Sequence, residues 1–155
     1  KKAKQNIEFS SDFIIGYPGE TYDDFKKTIE LINNVKFINS YSFTYSARPG
    51  TPAYNLVNIN PEDAKKRLMV FQKTAEKIKA NYRNNLINKI STVLFENKTK
   101  SENEYFGRDE YFNSVIVKSK TNLIGKIENI KILEINQNTL FGEVIININK
   151  KNYAA

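Results

Sequence analysis

Two short stretches carry residue types that could hold a ligand. Gly16-Tyr17-Pro18-Gly19-Glu20 brackets a proline with two glycines, so the backbone can turn sharply there and approach another group closely. Ser46-Ala47-Arg48-Pro49-Gly50 offers a guanidinium on a stiff loop, and that planar fork matches a carboxylate or a phosphate. Arg48 has an ordinary alternative, which is to pair with Asp12 or Glu20. A third set comes later in the chain: Tyr105, Phe106, Arg108, Tyr111 and Phe112, with Lys98, Lys100 and Lys118 nearby. Aromatic rings among basic residues are what unpaired bases stack on. A small β-fold needs buried rings as well, so at least two of these aromatics belong to its core.

The absent residue types constrain the chemistry just as firmly. The 155 residues include no cysteine and no histidine. That removes a thiolate nucleophile, a disulfide framework, a cysteine-ligated metal and the usual general base. The carboxylates are not clustered as a magnesium site requires. No catalytic residue and no metal ligand is therefore assigned.

The glycine-rich turn follows the apolar run Phe13-Ile14-Ile15, which reads as a strand (residues 7–15) covered on both faces of a parallel sheet. Thr21 as N-cap, with Asp24 three residues on, opens a helix to about Asn34. Its apolar face is Tyr22, Phe25, Ile29 and Ile32. Tyr41, Phe43 and Tyr45 then alternate with Ser42, Thr44 and Ser46, the period of a second strand. Strand, helix, strand over this length is a right-handed βαβ unit, which puts the Arg48 loop at the same carboxyl edge as the glycine turn. One such unit leaves a sheet edge open and buries too little. With its start at Lys1, the chain is expected to be the tail of a longer protein.

Asn60 and Pro61 cap the longest helix, where Ala64, Leu68, Phe71, Ala75, Ile78, Tyr82 and Leu86 form one stripe. Lys65, Lys66, Arg67, Lys73, Lys77, Lys79 and Arg83 fill much of the rest. Of the formal net charge of +7, most sits in residues 61–90, with eight basic and three acidic side chains. A field of that sign favours a polyanion such as RNA, although solvated basic helix faces are common. Residues 91–97, 103–107, 114–118, 125–135 and 140–148 read as five short strands, separated by Asn-, Lys- and Thr-rich turns. Five strands without a helix suggest a small closed barrel of the OB type. The fold class is thus α/β followed by all-β, divided as residues 1–60, a bridging basic helix at 61–86, and a barrel at 87–150. No apolar run approaches the ~20 residues of a membrane span.

Asp12-Phe-Ile-Ile-Gly-Tyr-Pro-Gly-Glu-Thr, followed by Tyr41-Ser-Phe-Thr-Tyr-Ser-Ala-Arg-Pro-Gly-Thr-Pro-Ala53, closely resembles the radical S-adenosylmethionine methylthiotransferases. Residues 87–150 resemble the TRAM domain that ends those enzymes. The wording of residues 46–53 is most similar to the tRNA enzymes of the family, which convert isopentenyl-adenosine beside the anticodon to its 2-methylthio derivative. The resemblance implies the last strands and helices of a partial (βα) radical-SAM barrel, followed by a five-stranded OB-like TRAM barrel. It implies S-adenosylmethionine and two 4Fe-4S clusters in the parent enzyme. The family's Cys-x-x-x-Cys-x-x-Cys motif is absent here, so this chain lacks cluster ligands and is expected to be inactive alone. Gly16, Pro18, Gly19, Glu20, Ser46 and Arg48 would lie at the cofactor's edge. Lys98, Lys100, Tyr105, Phe106, Arg108, Phe112 and Lys118 would meet RNA. The implied partners are a tRNA anticodon arm and the N-terminal part of the same enzyme, in the cytoplasm without a membrane. Two other readings remain: a stand-alone RNA-binding module, and the tail of a ribosomal-protein methylthiotransferase.

Overall fold

A computed structural model describes residues 7–145. The chain divides after Tyr82 into two compact units. In the first, strand β1 (Ser10–Ile15) leads through the glycine turn into helix α1 (Tyr22–Val35) and then strand β2 (Asn39–Thr44). A short 3-10 turn at Pro52–Asn55 precedes helix α2 (Pro61–Asn84).

Local signals set the ends of α1. The Thr21 hydroxyl accepts from the Asp24 amide at 3.1 Å, and the Asp24 carboxylate accepts from the Thr21 amide at 3.1 Å. This reciprocal box satisfies two amides that the first turn would otherwise leave unpaired. The helix runs slightly past the expected Asn34, and Lys36 closes it in the left-handed region at φ 59°.

β1 and β2 pair in parallel, with Asp12 opposite Tyr41 and Ile14 opposite Phe43. Ile15, Phe25, Ile32 and Phe71 are buried together, with Phe13, Leu68 and Ile78 packed around them. Both helices thus cover the face that carries Phe13 and Ile15. The opposite face is bare: Ile14 is 58% exposed, Tyr41 60% and Phe43 61%. The expectation of a strand covered on both faces is corrected accordingly. Two strands and two helices make only two layers, whereas a parallel sheet is normally covered on both sides.

The second unit is a closed barrel of β3 (Ile90–Lys98), β4 (Glu104–Asp109), β5 (Ser114–Lys118), β6 (Ile127–Ile135) and β7 (Thr139–Val144). Their order around the barrel is β3-β4-β5-β7-β6, and only the β5–β7 pair is parallel. The expected five-stranded barrel is therefore present. Its last strand was expected to reach residue 148, and residues 146–148 lie outside the described range. β6 starts two residues late because Gly125 and Lys126 form the turn, their amides bonding the carbonyls of Phe95 and Leu123.

Inward positions alternate along the strands as Val93 and Phe95, Val115 and Val117, and Ile130 and Ile132; together with Leu123 and Leu140 they fill the interior. A bulge between Phe95 and Asn97 and another between Ile132 and Glu134 help the sheet bend closed. Gly107 and Gly142 permit the strands to approach closely: a Cβ would run into the Leu94 carbonyl oxygen at the first and the Lys131 carbonyl oxygen at the second. α2 ends at Asn84, so Leu86, expected on its stripe, sits in the following turn and packs against the barrel interior. Arg83 is buried as well and donates to the Gln137 carbonyl.

Candidate functional site

The first unit holds a groove of about 820 Å³ at the carboxyl end of the two strands. Ile14, Tyr17, Phe43, Tyr45, Ser46 and Arg48 are among its walls. The rings of Tyr17 and Tyr45 meet edge-on at 5.2 Å, which ties the glycine turn to the end of β2. The Tyr45 amide bonds the Ile15 carbonyl at 2.9 Å and extends the parallel pairing by one residue. Its hydroxyl is buried without a hydrogen-bond partner among the described residues. Such a group costs free energy unless something else completes it. Arg48 is exposed, and its carbonyl accepts from the Thr51 hydroxyl at 2.8 Å, which fixes the loop. The pairing of Arg48 with Asp12 or Glu20 is not found.

Glu20 is engaged elsewhere. Its carboxylate accepts from the Gly16 amide at 2.9 Å and from Arg67 at 2.6 Å, and Arg67 also donates to the Glu20 carbonyl at 2.9 Å. Both side chains are mostly buried, at 11% and 16% exposure, so this pair closes the glycine turn onto α2. Gly16 serves the same contact. It sits at φ +76°, and a Cβ there would lie 2.8 Å from the Ala64 Cβ. Pro18 is buried and Gly19 is exposed. Of the six expected cofactor residues, Ser46 and Arg48 line the groove. Gly16 and Glu20 hold the turn that presents Tyr17 to it. Spacing alone marks neither Tyr17 nor Tyr45 as a site residue, and it places Arg67 among the other cations on the basic side of α2. Alternation marked Tyr45 as a strand residue, but nothing local pairs position 67 with position 20.

In the barrel, Lys98, Lys100, Arg108, Phe112 and Lys118 are exposed and Phe106 is half-buried. Tyr105 is only 5% exposed and belongs to the interior cluster. Its expected role in stacking RNA bases is withdrawn, because β4 turns alternate residues inward and position 105 is one of them. The Arg108 guanidinium lies over the Phe106 ring at 5.4 Å and within 3.3 Å of the Glu96 carboxylate.

The tip between β4 and β5 is held from beneath. The buried Asp109 carboxylate accepts from the amides of Tyr111 (2.9 Å) and Asn113 (2.8 Å) and from the Asn113 side-chain nitrogen (2.8 Å). The Phe112 amide bonds the Asp109 carbonyl at 3.0 Å. Phe112 itself stands at φ 61°, a region in which a bulky side chain costs of order 1–3 kcal/mol. Its ring is 76% exposed.

The described residues contain no group of three or more His, Cys, Asp or Glu side chains that could hold a metal ion. No described helix is long and apolar enough to cross a membrane.

Residues 86–145 match the family model described as the TRAM domain. Across 97% of its length the chain is 48% identical to a Pelagibacter ubique protein named tRNA-2-methylthio-N(6)-dimethylallyladenosine synthase, covering 34% of that protein. Proteins of the same name from Wolbachia pipientis and Photorhabdus laumondii are each 41% identical over 92% and 94% of the chain. The match covers 33% and 31% of those two proteins. The chain thus spans about a third of the length of the curated relatives it matches.

Proposed function

We propose, from the premise that residues 86–145 are a TRAM domain, that this chain is the tRNA-holding part of a radical S-adenosylmethionine methylthiotransferase. The substrate of the whole enzyme is isopentenyl-adenosine beside the anticodon, and its product is the 2-methylthio derivative. The barrel binds the anticodon arm in the cytoplasm. The first unit supplies the closing strands and helices of a partial (βα) barrel. The observation that carries this reading is the bare apolar face of Ile14, Tyr41 and Phe43 on a two-stranded parallel sheet, beside a groove at the strands' carboxyl end. A sheet of this kind is completed by further strands or layers, and the relatives are about three times as long.

The residues present divide the cofactors into two classes. Iron–sulfur clusters are held by thiolates, and the chain contains no cysteine. Cluster ligands therefore belong to parts of the relatives that this chain does not span, and no step of cluster chemistry is assigned to it. S-adenosylmethionine fits the groove better. Tyr17, Phe43 and Tyr45 offer ring surface for an adenine, Arg48 a fork for a carboxylate, and the buried Tyr45 hydroxyl lacks a partner among the described residues. When bound in the complete enzyme, that cofactor supplies the methyl group and the radical. This chain's part is to orient the cofactor and to hold the tRNA.

Two measurements on the full chain test the proposal. Anisotropy titration with a labelled anticodon stem-loop should show binding that weakens steeply with salt, as phosphate contacts release counterions. Arg108→Ala and Lys98→Ala should each weaken binding and flatten the salt slope by about one unit. Absent or salt-independent binding overturns the RNA assignment. Anaerobic reconstitution with iron and sulfide should give no stoichiometric cluster spectrum; a cluster at one per chain would overturn the assignment of its ligands to other parts of the enzyme.

A further inference from the structure

We infer that Phe112 is a preformed stacking platform for one unpaired base of the bound RNA, presented by the turn that Asp109 organises. The inference rests on the RNA-binding reading of the barrel and adds the residue and the mode of contact. Three observations converge on it. Phe112 is the most exposed of the large aromatic side chains described in the barrel, at 76%. Its backbone occupies the left-handed region at φ 61°, where glycine or asparagine would sit without strain, and yet Asn113 stands beside it rather than at that position. The conformation is also over-determined from below. Asp109, itself 6% exposed, accepts three hydrogen bonds from Tyr111 and Asn113, and the Phe112 amide closes the turn on the Asp109 carbonyl.

A strained backbone maintained by a buried carboxylate, holding outward a ring that packs into no core, is costly as fold and sensible as a contact. The kind of contact follows from the surroundings. Phe112 stands on a turn tip between exposed Glu110 and half-buried Tyr111 on one side and half-buried Asn113 on the other, with exposed Arg108 on the preceding strand. A protein partner of ordinary affinity needs a wider apolar centre than this. A single base needs only one flat face of fixed orientation. Because the tip is already ordered, little conformational entropy is lost when the base docks.

The test uses the full chain and a fluorescein-labelled anticodon stem-loop. Phe112→Gly relieves the left-handed strain, so its urea midpoint should stay level or rise, while its affinity for the stem-loop falls about tenfold. The slope of affinity against salt should not change, since stacking releases no counterions. Phe112→Trp should keep wild-type affinity. The chain has no other tryptophan, so stacking should quench that single fluorophore when RNA is added. Asp109→Asn, which weakens the support under the tip, should lower affinity less than Phe112→Gly does.

Undiminished binding by Phe112→Gly, together with unquenched Phe112→Trp fluorescence, overturns the stacking role. If Arg108→Ala still weakens binding in that case, the RNA-binding reading stands and only this inference falls. A wild-type chain that does not bind the stem-loop removes both. A lowered urea midpoint for Phe112→Gly would make the ring a structural element and would also overturn the proposal.

Discussion

Val93, Val115 and Ile130 of the barrel are wholly buried, whereas Ile14, Phe43 and the ring of Tyr41 on the two-stranded sheet stand in solvent. The difference lies in closure rather than composition. Five strands curl until β6 pairs with β3, so every inward side chain meets another and no sheet edge is left over. Two parallel strands cannot do this, and their helices occupy only one side. One unit completes its core from its own residues. The other packs its core on one face of the sheet, and its described residues leave the opposite face uncovered.

The largest effect should come from the closed unit. Phe95→Ala removes a fully buried ring from the barrel interior and should cost about 4 kcal/mol, read as a lowered urea midpoint. A cost below about 1 kcal/mol would mean that the interior is not packed as described. Next comes Gly16→Ala, which adds a methyl facing the Ala64 Cβ at a positive φ. It should cost about 2–3 kcal/mol and loosen the glycine turn in amide exchange. Arg67→Ala leaves the Glu20 carboxylate half-satisfied in a mostly buried position. A loss of about 2 kcal/mol is expected, with Arg67→Lys recovering only part because it lacks the fork.

A smaller contribution depends on pH. The hydroxyl and amide hydrogen bonds from Thr21 hold the Asp24 carboxyl below its ordinary value, with Lys27 helping and desolvation opposing. A carboxylate with a lowered folded pKa stabilises the fold above its ordinary pKa. That contribution is lost as the pH falls through the lower, folded value. Asp24→Asn should therefore flatten the acid side of the stability profile for the first unit and leave stability near neutral pH slightly reduced. The smallest change belongs to the bare face. Ile14→Ser and Phe43→Ser should alter stability by no more than about 0.5 kcal/mol in this chain. A loss several times larger would show that the face is already covered and would break the contrast between the units.

Much of this was legible in the residues. The Thr21–Asp24 box, the Asn60-Pro61 helix start and five strands depend on neighbours in sequence; the first two appear where spacing puts them, and the strands do so within a few residues except for the end of β7, which closes at Val144. The pairing of Glu20 with Arg67 was not legible, because the partners are 47 residues apart and Arg67 sits within a run of surface-like cations. Nor was the fate of Tyr105. A tyrosine next to a phenylalanine and an arginine looks the same in sequence whether strand register turns it inward or outward.

The sequence by itself determined which segments become helix or strand, which turns cap them, and that neither thiolate nor imidazole chemistry is open to the chain. These follow from local periodicity and from the inventory of side chains. Only the tertiary structure decided which cations are committed to the fold, which rings remain available, and that one face of the sheet is left bare. Those outcomes depend on register and on contacts between distant residues, where a shift of one position exchanges inside for outside.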